Sequence, residues 1–298
     1  MLILDEKKVR KGRPLGLPYQ GSKKKISKKI VEIIKQNFGT DKPIYDIFGG
    51  GGAITAECML NGLEVHYNDL DETVTSMFQK VISEDRDYLK TLLVSRDEFL
   101  KIREKENKTV DDELKLLINS FGNNRKSYLY SKEISDVKHN LAIEIIKNHD
   151  TFSGYRKTDT YLKQQQRLQQ LEQLQQLQQL QQLQQLQQLQ QLQQLQQLQQ
   201  LEATNLDFKA FSGVENAILY LDPPYEGTTH KGYSIDGFDS QPFYDWAYEM
   251  SKKNIVLISS YEISDSRFTC VYELTNARST LQSGTNNNKT EKLFMVKK

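Results

Sequence analysis

The sequence predicts an α/β fold, a sheet of buried strands covered by helices, interrupted by a mainly helical insert and a long Leu/Gln repeat. Three observations carry that reading. Short apolar runs at 43–47, 63–67, 217–221 and 254–260 are separated by helical patterns, as a mostly parallel sheet requires. Two of them end in loops that carry chemistry, Gly49-Gly50-Gly51-Gly52 and Asp222-Pro223-Pro224-Tyr225. Between residues 168 and 201, finally, leucine returns at every third position with Gln between, except for Glu172.

The chain has 298 residues, room for one large α/β domain and a smaller one. A net charge of +1 gives no global nucleic-acid signature. Basic residues are clustered instead, as Lys7, Lys8, Arg10, Lys11 and Arg13, then Lys23, Lys24, Lys25, Lys28 and Lys29; either run reads equally as a solvated face. Cys58 and Cys270 form no disulfide framework, and His66, His139, His149 and His230 lack the spacing of a metal site. No signal core and no stretch of ~20 apolar residues is present, so the expectation is a soluble cytoplasmic protein without a membrane segment.

Residues 14–26 form a Gly/Pro-punctuated loop, after which Ser22 is expected to cap an amphipathic helix through Ile26, Ile30, Ile33 and Ile34. Tyr19, Gly21 and Lys23 stand at that entry, where free N–H groups and a cation would meet a carboxylate. The strand at 43–47 then runs into the glycines and a helix from Ala53, a strand-loop-helix able to wrap a ligand. The spacing is neither that of a phosphate-binding loop nor of a dinucleotide fingerprint. Asp69 follows the glycines by 17 to 20 residues, where an acid holds ribose hydroxyls, and neighbouring Asp71 reads as a helix cap.

From 82 to 163 the chain is polar and helical, with helices expected at 96–105, 110–118 and 133–148. Between the last two, Phe121-Gly122-Asn123-Asn124-Arg125-Lys126 mixes amides, cations and aromatics, as reading base edges and phosphates requires; a polar connector would look similar. In the repeat, a period of three turns each leucine by about 60° from the last, so no sustained apolar seam is expected. The tract reads as a helix or a tolerated, dispensable spacer, and a Gln-rich segment could equally be disordered.

The apolar run at 217–221 stops at two prolines, which have no N–H to continue a ladder. Asp222 and Tyr225 therefore stand on a stiff loop beyond a strand's carboxyl end. The Asp222 carboxylate and the Pro223 carbonyl can accept from an exocyclic amino group, and the Tyr225 ring offers a stacking face; a plain turn is the alternative. After it come a Gly-rich loop at 226–239, a helix at 242–250, the strand at 254–260 and an antiparallel pair at 271–274 and 293–296, with Ser259 and Tyr261 placed to line a base pocket or simply to end a strand.

These residues, in this order, resemble DNA adenine-N6 methyltransferases of the Dam-like and phage type, the D12 class. The matches are Tyr19, Gly21 and Lys23 in the first loop, Asp46-x-Phe48-x-Gly50-x-Gly52 with Gly49 and Gly51 in the Gly-rich loop, Phe121 to Asn124 in the insert, and Asp222-Pro223-Pro224-Tyr225. Tyr19 stands where Trp is usual, Asp71 where Asn is common, and the repeat tract has no counterpart. The resemblance implies a Rossmann-like S-adenosylmethionine methyltransferase sheet, split into 1–81 and 202–298 around a DNA-recognition insert at 82–163 and a repeat at 164–201. It implies S-adenosylmethionine held by Tyr19, Gly21, Lys23, Asp46, Phe48, Gly49, Gly51, Asp69, Asp207 and Phe208, although Phe208 alone reads equally as core. It also implies catalysis by Asp222, Pro223, Pro224 and Tyr225, and double-stranded DNA bound through Asn123, Asn124, Arg125 and Lys126; a restriction endonuclease is a compatible partner. The alternatives are an amino methyltransferase acting on cytosine N4, RNA or a protein glutamine, against which Asp222 in place of Ser or Asn argues, and a non-enzymatic scaffold built on the repeat, which would need no cofactor site.

Overall fold

Residues 1–18, 22–170, 179–198, 200–226, 238–274 and 290–297 are described by the computed structural model. They divide into a unit formed by Met1–Gln79 with Leu195–Lys298 and a unit formed by Lys80–Gln194.

The first unit is organised on a seven-stranded sheet. Its strands are β1 (Ile44–Asp46), β2 (Val65–Asn68), β3 (Ala203–Thr204), β4 (Ile218–Leu221), β5 (Ile255–Ser260), β6 (Phe268–Leu274) and β7 (Glu291–Val296), ordered β3-β2-β1-β4-β5-β7-β6. The pairs from β3 to β5 are parallel, and β7 inserts antiparallel to both β5 and β6. The order reverses between β1 and β4, since the chain moves outward from β1 to β2 on one side and from β4 to β5 on the other. That reversal leaves a crevice beyond the strands' carboxyl ends. Every residue of β4 is buried, as a central parallel strand covered on both faces must be. Leu219, Leu221, Val256 and Ile258 pack with Phe243, Trp246 and Ala247 of the helix Ser240–Met250.

Two details depart from expectation. Ser22 caps a 3₁₀ turn, Lys23–Lys25, by accepting from the Lys24 amide, and the helix α1 (Ser27–Phe38) starts only after it. Strand β3 is two residues long, too short to leave a pattern, and is fixed by side chains. The buried Asn68 amide donates to the carbonyls of Ile47 and Leu206, while its oxygen accepts from Thr204 Oγ1 and the Leu206 amide. Helix α2 (Ala53–Leu60) follows the glycine loop, and α3 (Glu72–Ser83) leads out of the first unit.

The second unit is helical: α4 (Arg86–Lys90), α5 (Arg96–Arg103), α6 (Val110–Ile118), α7 (Lys132–His149), α8 (Asp159–Gln170) and α9 (Gln181–Gln193). Thr109 and Asp112 form a capping box on α6, and Val94, Phe99, Ile102, Leu116, Tyr128 and Tyr130 make a core cluster.

Here the reading of the repeat is corrected. Described residues 179–194 of the tract lie within the compact helical unit, and α9 is one of its helices. Leu180, Leu183, Leu186, Leu189 and Leu192 are all fully buried. The rotation of about 60° per leucine does deny the helix a single seam, and its four leucines from Leu183 to Leu192 sweep about 180° of its circumference. Helices α4, α6 and α7 all pack on α9, so that spread of apolar side chains is buried on several sides at once. Two of the glutamines between are incompletely paired. Gln182 is fully buried and its amide donates to Asn119 Oδ1 at 2.5 Å, while the oxygens of Gln182 and Gln185 have no hydrogen-bond partner among the described residues.

Candidate active site

A cleft partly open to solvent lies in the first unit at the β1/β4 reversal. Its floor is the loop after β1. A Cβ on Gly49 would stand 2.4 Å from the Tyr67 ring, and one on Gly52, at φ +69°, would stand 2.2 Å from Phe78; side chains at these positions have no room. The sharp turn brings the Gly50 amide onto Asp69 Oδ2 at 2.7 Å, and the other Asp69 oxygen takes the Asp71 amide at 2.8 Å. Asp71 caps α3 by accepting from the amides of Thr73 and Val74.

Of the sequence-predicted residues, Lys23, Asp46, Phe48, Gly49, Gly51, Asp69, Asp207, Phe208, Asp222 and Pro224 all line this cleft. Tyr19 and Gly21 lie outside the described residues. Pro223 is buried beside the cleft without lining it. Asp207 accepts from the Lys209 amide, and Phe208 stands among Phe48, Phe238, Phe243 and Trp246.

The electrostatics are set by burial. Asp46, at the end of β1, is 1% exposed and is pushed up to about 7 by desolvation, although the hydroxyl and amide of Thr55 bind it at 2.7 and 3.1 Å. Asp69 is raised by burial to about 6, against the pull of the Asp71 and Gly50 amides. Asp222 is likewise raised to about 6, with Lys23 opposing burial and Glu291 adding to it. Acids held in this state want a cation or hydroxyl donors. The Tyr220 hydroxyl, fully buried on the same cleft, has no hydrogen-bond partner among the described residues.

At the Asp222 end a polar cluster closes the site. Lys23 Nζ lies 3.0 Å from Asp222 Oδ2, 2.6 Å from the Tyr225 hydroxyl and 3.4 Å from Glu291 Oε1. The Tyr225 hydroxyl lies 3.0 Å from Asp222 Oδ1 and also touches Glu291, to which Ser259 donates at 2.6 Å. The Lys23 ammonium stands 4.9 Å from the centroid of the Tyr225 ring, on its hydroxyl side, and Tyr261 meets that ring at 79°. Sequence reasoning missed Glu291. A single Glu opening an apolar strand carries no local signal, and only the β5–β7 pairing brings it beside Ser259.

In the second unit, the loop at 121–127 is closed by a bridge between Ser120 and Tyr128. Asn123 donates to the Leu117 carbonyl, Asn124 Oδ1 takes the amides of Lys126 and Ser127, and Arg125 pairs with Glu113 at 2.9 Å. Lys126 and Phe121 are exposed. Of the first basic run, Arg10 is spent on a forked pair with buried Glu57.

The mostly parallel sheet reverses over a glycine cradle and carries Asp-Pro-Pro-Tyr just beyond its central strand, and a family match accounts for this arrangement. The model of the D12 class N6 adenine-specific DNA methyltransferases matches residues 19–274, and the chain belongs to that family. Membership makes it an enzyme that methylates adenine N6 in DNA, with S-adenosylmethionine implied as methyl donor. No curated protein sequence matches the chain. Among solved structures it is similar to the rRNA methyltransferase aviRa from Streptomyces viridochromogenes, at 12% identity and a TM-score of 0.36, covering 98% of this chain and 93% of that one, a likeness too slight to bear on function. Among the described residues no helix is long and apolar enough to cross a membrane.

Proposed function

We propose that the cleft binds S-adenosylmethionine and presents its methyl group to a flipped adenine of double-stranded DNA at Asp222. The observation that supports this best is the gathering of a glycine floor, three buried or half-buried acids and an aromatic wall in one cleft that ends at Asp222. The donor set suits the cofactor. Asp46, raised by burial, regains its charge beside the methionine ammonium, with Lys23 and the first loop near the carboxylate. Asp69 takes ribose hydroxyls, Asp207 the adenine amino group, and Phe208 and Phe48 the adenine ring, while Gly49 and Gly51 allow close approach.

The cofactor supplies an electrophilic methyl group; the chain supplies orientation and electrostatics. Asp222 and the Pro223 carbonyl accept from the two N6 hydrogens, which pulls the nitrogen lone pair out of the ring and toward the methyl group. Pro224 stiffens the loop, and the Tyr225 ring supports the base. The base reaches the pocket by flipping out of the duplex. Arg125 and Lys126 are assigned to DNA phosphates and Asn123 and Asn124 to its base edges, with the Lys80–Gln194 unit as the recognition domain.

Nucleoside analysis of duplex DNA incubated with the protein and S-adenosylmethionine tests this. N6-methyladenine is expected; N4-methylcytosine, or methylation of RNA alone, would replace the reading with another amino methyltransferase.

A further inference from the structure

The Tyr225 hydroxyl has one hydrogen and two carboxylates within reach, Asp222 Oδ1 at 3.0 Å and Glu291 Oε1 at closer contact. Lys23 is shared in the same way, at 3.0 Å from Asp222 and 3.4 Å from Glu291. The one Tyr225 hydrogen that Glu291 takes is lost to Asp222, and Lys23, with three hydrogens, bonds Asp222 less closely the more Glu291 attracts it. An amino group needs an Asp222 oxygen with an uncommitted lone pair, so the division of donors decides whether Asp222 is open to substrate. Glu291 does not line the cleft, is 5% exposed, and is fixed by Ser259 at 2.6 Å from the neighbouring strand.

We propose that Glu291 is a positioning residue that draws the Tyr225 hydroxyl hydrogen and the Lys23 ammonium toward itself, and so keeps Asp222 available to the amino group being methylated. The inference rests on the reading of Asp222 as amino-group acceptor. The charged and titratable groups facing Asp222 are Lys23 from the turn before α1, Asp46 from β1, Tyr220 from β4, Tyr225 from the following loop and Glu291 from β7. Of these, Glu291 raises the Asp222 carboxyl and Lys23 lowers it. Removing the Glu291 charge shifts Lys23 and the Tyr225 hydrogen toward Asp222, which becomes both a weaker base and a more occupied acceptor.

The test is Glu291→Gln beside Asp222→Asn, each followed by cofactor calorimetry, kcat, and the pH profile of kcat/KM. For Glu291→Gln the expectation is unchanged cofactor affinity, a kcat lower by roughly ten- to a hundredfold, and an acid limb moved to lower pH. A purely structural role would not move that limb. Ser259→Ala, which loosens Glu291 without removing its charge, should lower kcat less and leave the limb in place; it also serves if Glu291→Gln does not fold. Wild-type kcat in both Glu291→Gln and Ser259→Ala, or an unmoved acid limb in a folded Glu291→Gln, overturns the inference. Should Asp222→Asn keep full activity, the acceptor reading itself fails; an inactive Asp222→Asn beside a wild-type Glu291→Gln removes only the role given to Glu291.

Discussion

The cleft of the sheet unit and helix α9 of the helical unit are written in opposite ways. In the cleft almost every position holds a residue type that could do little else there: glycine where a Cβ would meet Tyr67, an acid at a strand end, two prolines after β4. In α9 one tripeptide recurs, and burial comes from three neighbouring helices. The lesson is that chemical sites leave local signatures, whereas a core element can be made from sequence that looks like filler when its surroundings do the specifying.

The comparison breaks first at the leucines. Leu186→Ala with Leu189→Ala should cost about 2–5 kcal/mol per site, enough to unfold a unit of ordinary stability. DNA affinity is then lost while calorimetric binding of S-adenosylmethionine persists. Unchanged DNA binding would return the tract to a dispensable spacer.

Within the cleft, Asp69→Ala should weaken cofactor binding by roughly 1.5–3 kcal/mol, the worth of a hydrogen bond to a charged group, and leave DNA affinity alone. The same acids give a pH signature. Asp46, at about 7, and Asp69, at about 6, are held above the ordinary 3.8, so the folded protein keeps protons that the unfolded chain has released. Stability of the ligand-free protein therefore falls as pH rises from about 4 to about 7. A cation at Asp46 offsets that loss. The rise in Tm on adding S-adenosylmethionine should be larger near pH 8 than near pH 5.5, and Asp46→Asn should level the two.

Smaller effects sharpen the contrast in the second unit. Lys126→Ala should reduce the salt slope of DNA binding by about one unit, and Arg125→Ala by less, since Arg125 already pairs with Glu113. Asn124→Ala should disturb the loop that its side chain closes, and with it sequence choice more than salt dependence. Last, Gln185→Leu removes a buried acceptor without a partner among the described residues, and should stabilise the unit by roughly 1 kcal/mol in urea unfolding.

Most of the sheet was legible because apolar runs of four to six residues ended in glycine, proline or acid. Asp71 as cap followed from spacing alone, whereas the bond from the Gly50 amide to Asp69 did not. Strand β3 did not, being two residues held by Asn68 from elsewhere in the sheet. Nor did Glu291, whose partners Lys23, Tyr225 and Ser259 are far from it in sequence. The repeat misled because periodicity tests an element against one flat neighbour, and α9 has several.

The central claim is that Asp222 serves the amino group of the target and not the cofactor. Asp222→Ala, measured in parallel for S-adenosylmethionine affinity by calorimetry and for methyl transfer to duplex DNA, addresses it directly. The account predicts cofactor binding close to wild type with methyl transfer reduced by roughly 10²–10³-fold or more. Equal loss of both, or methyl transfer that survives, would contradict it.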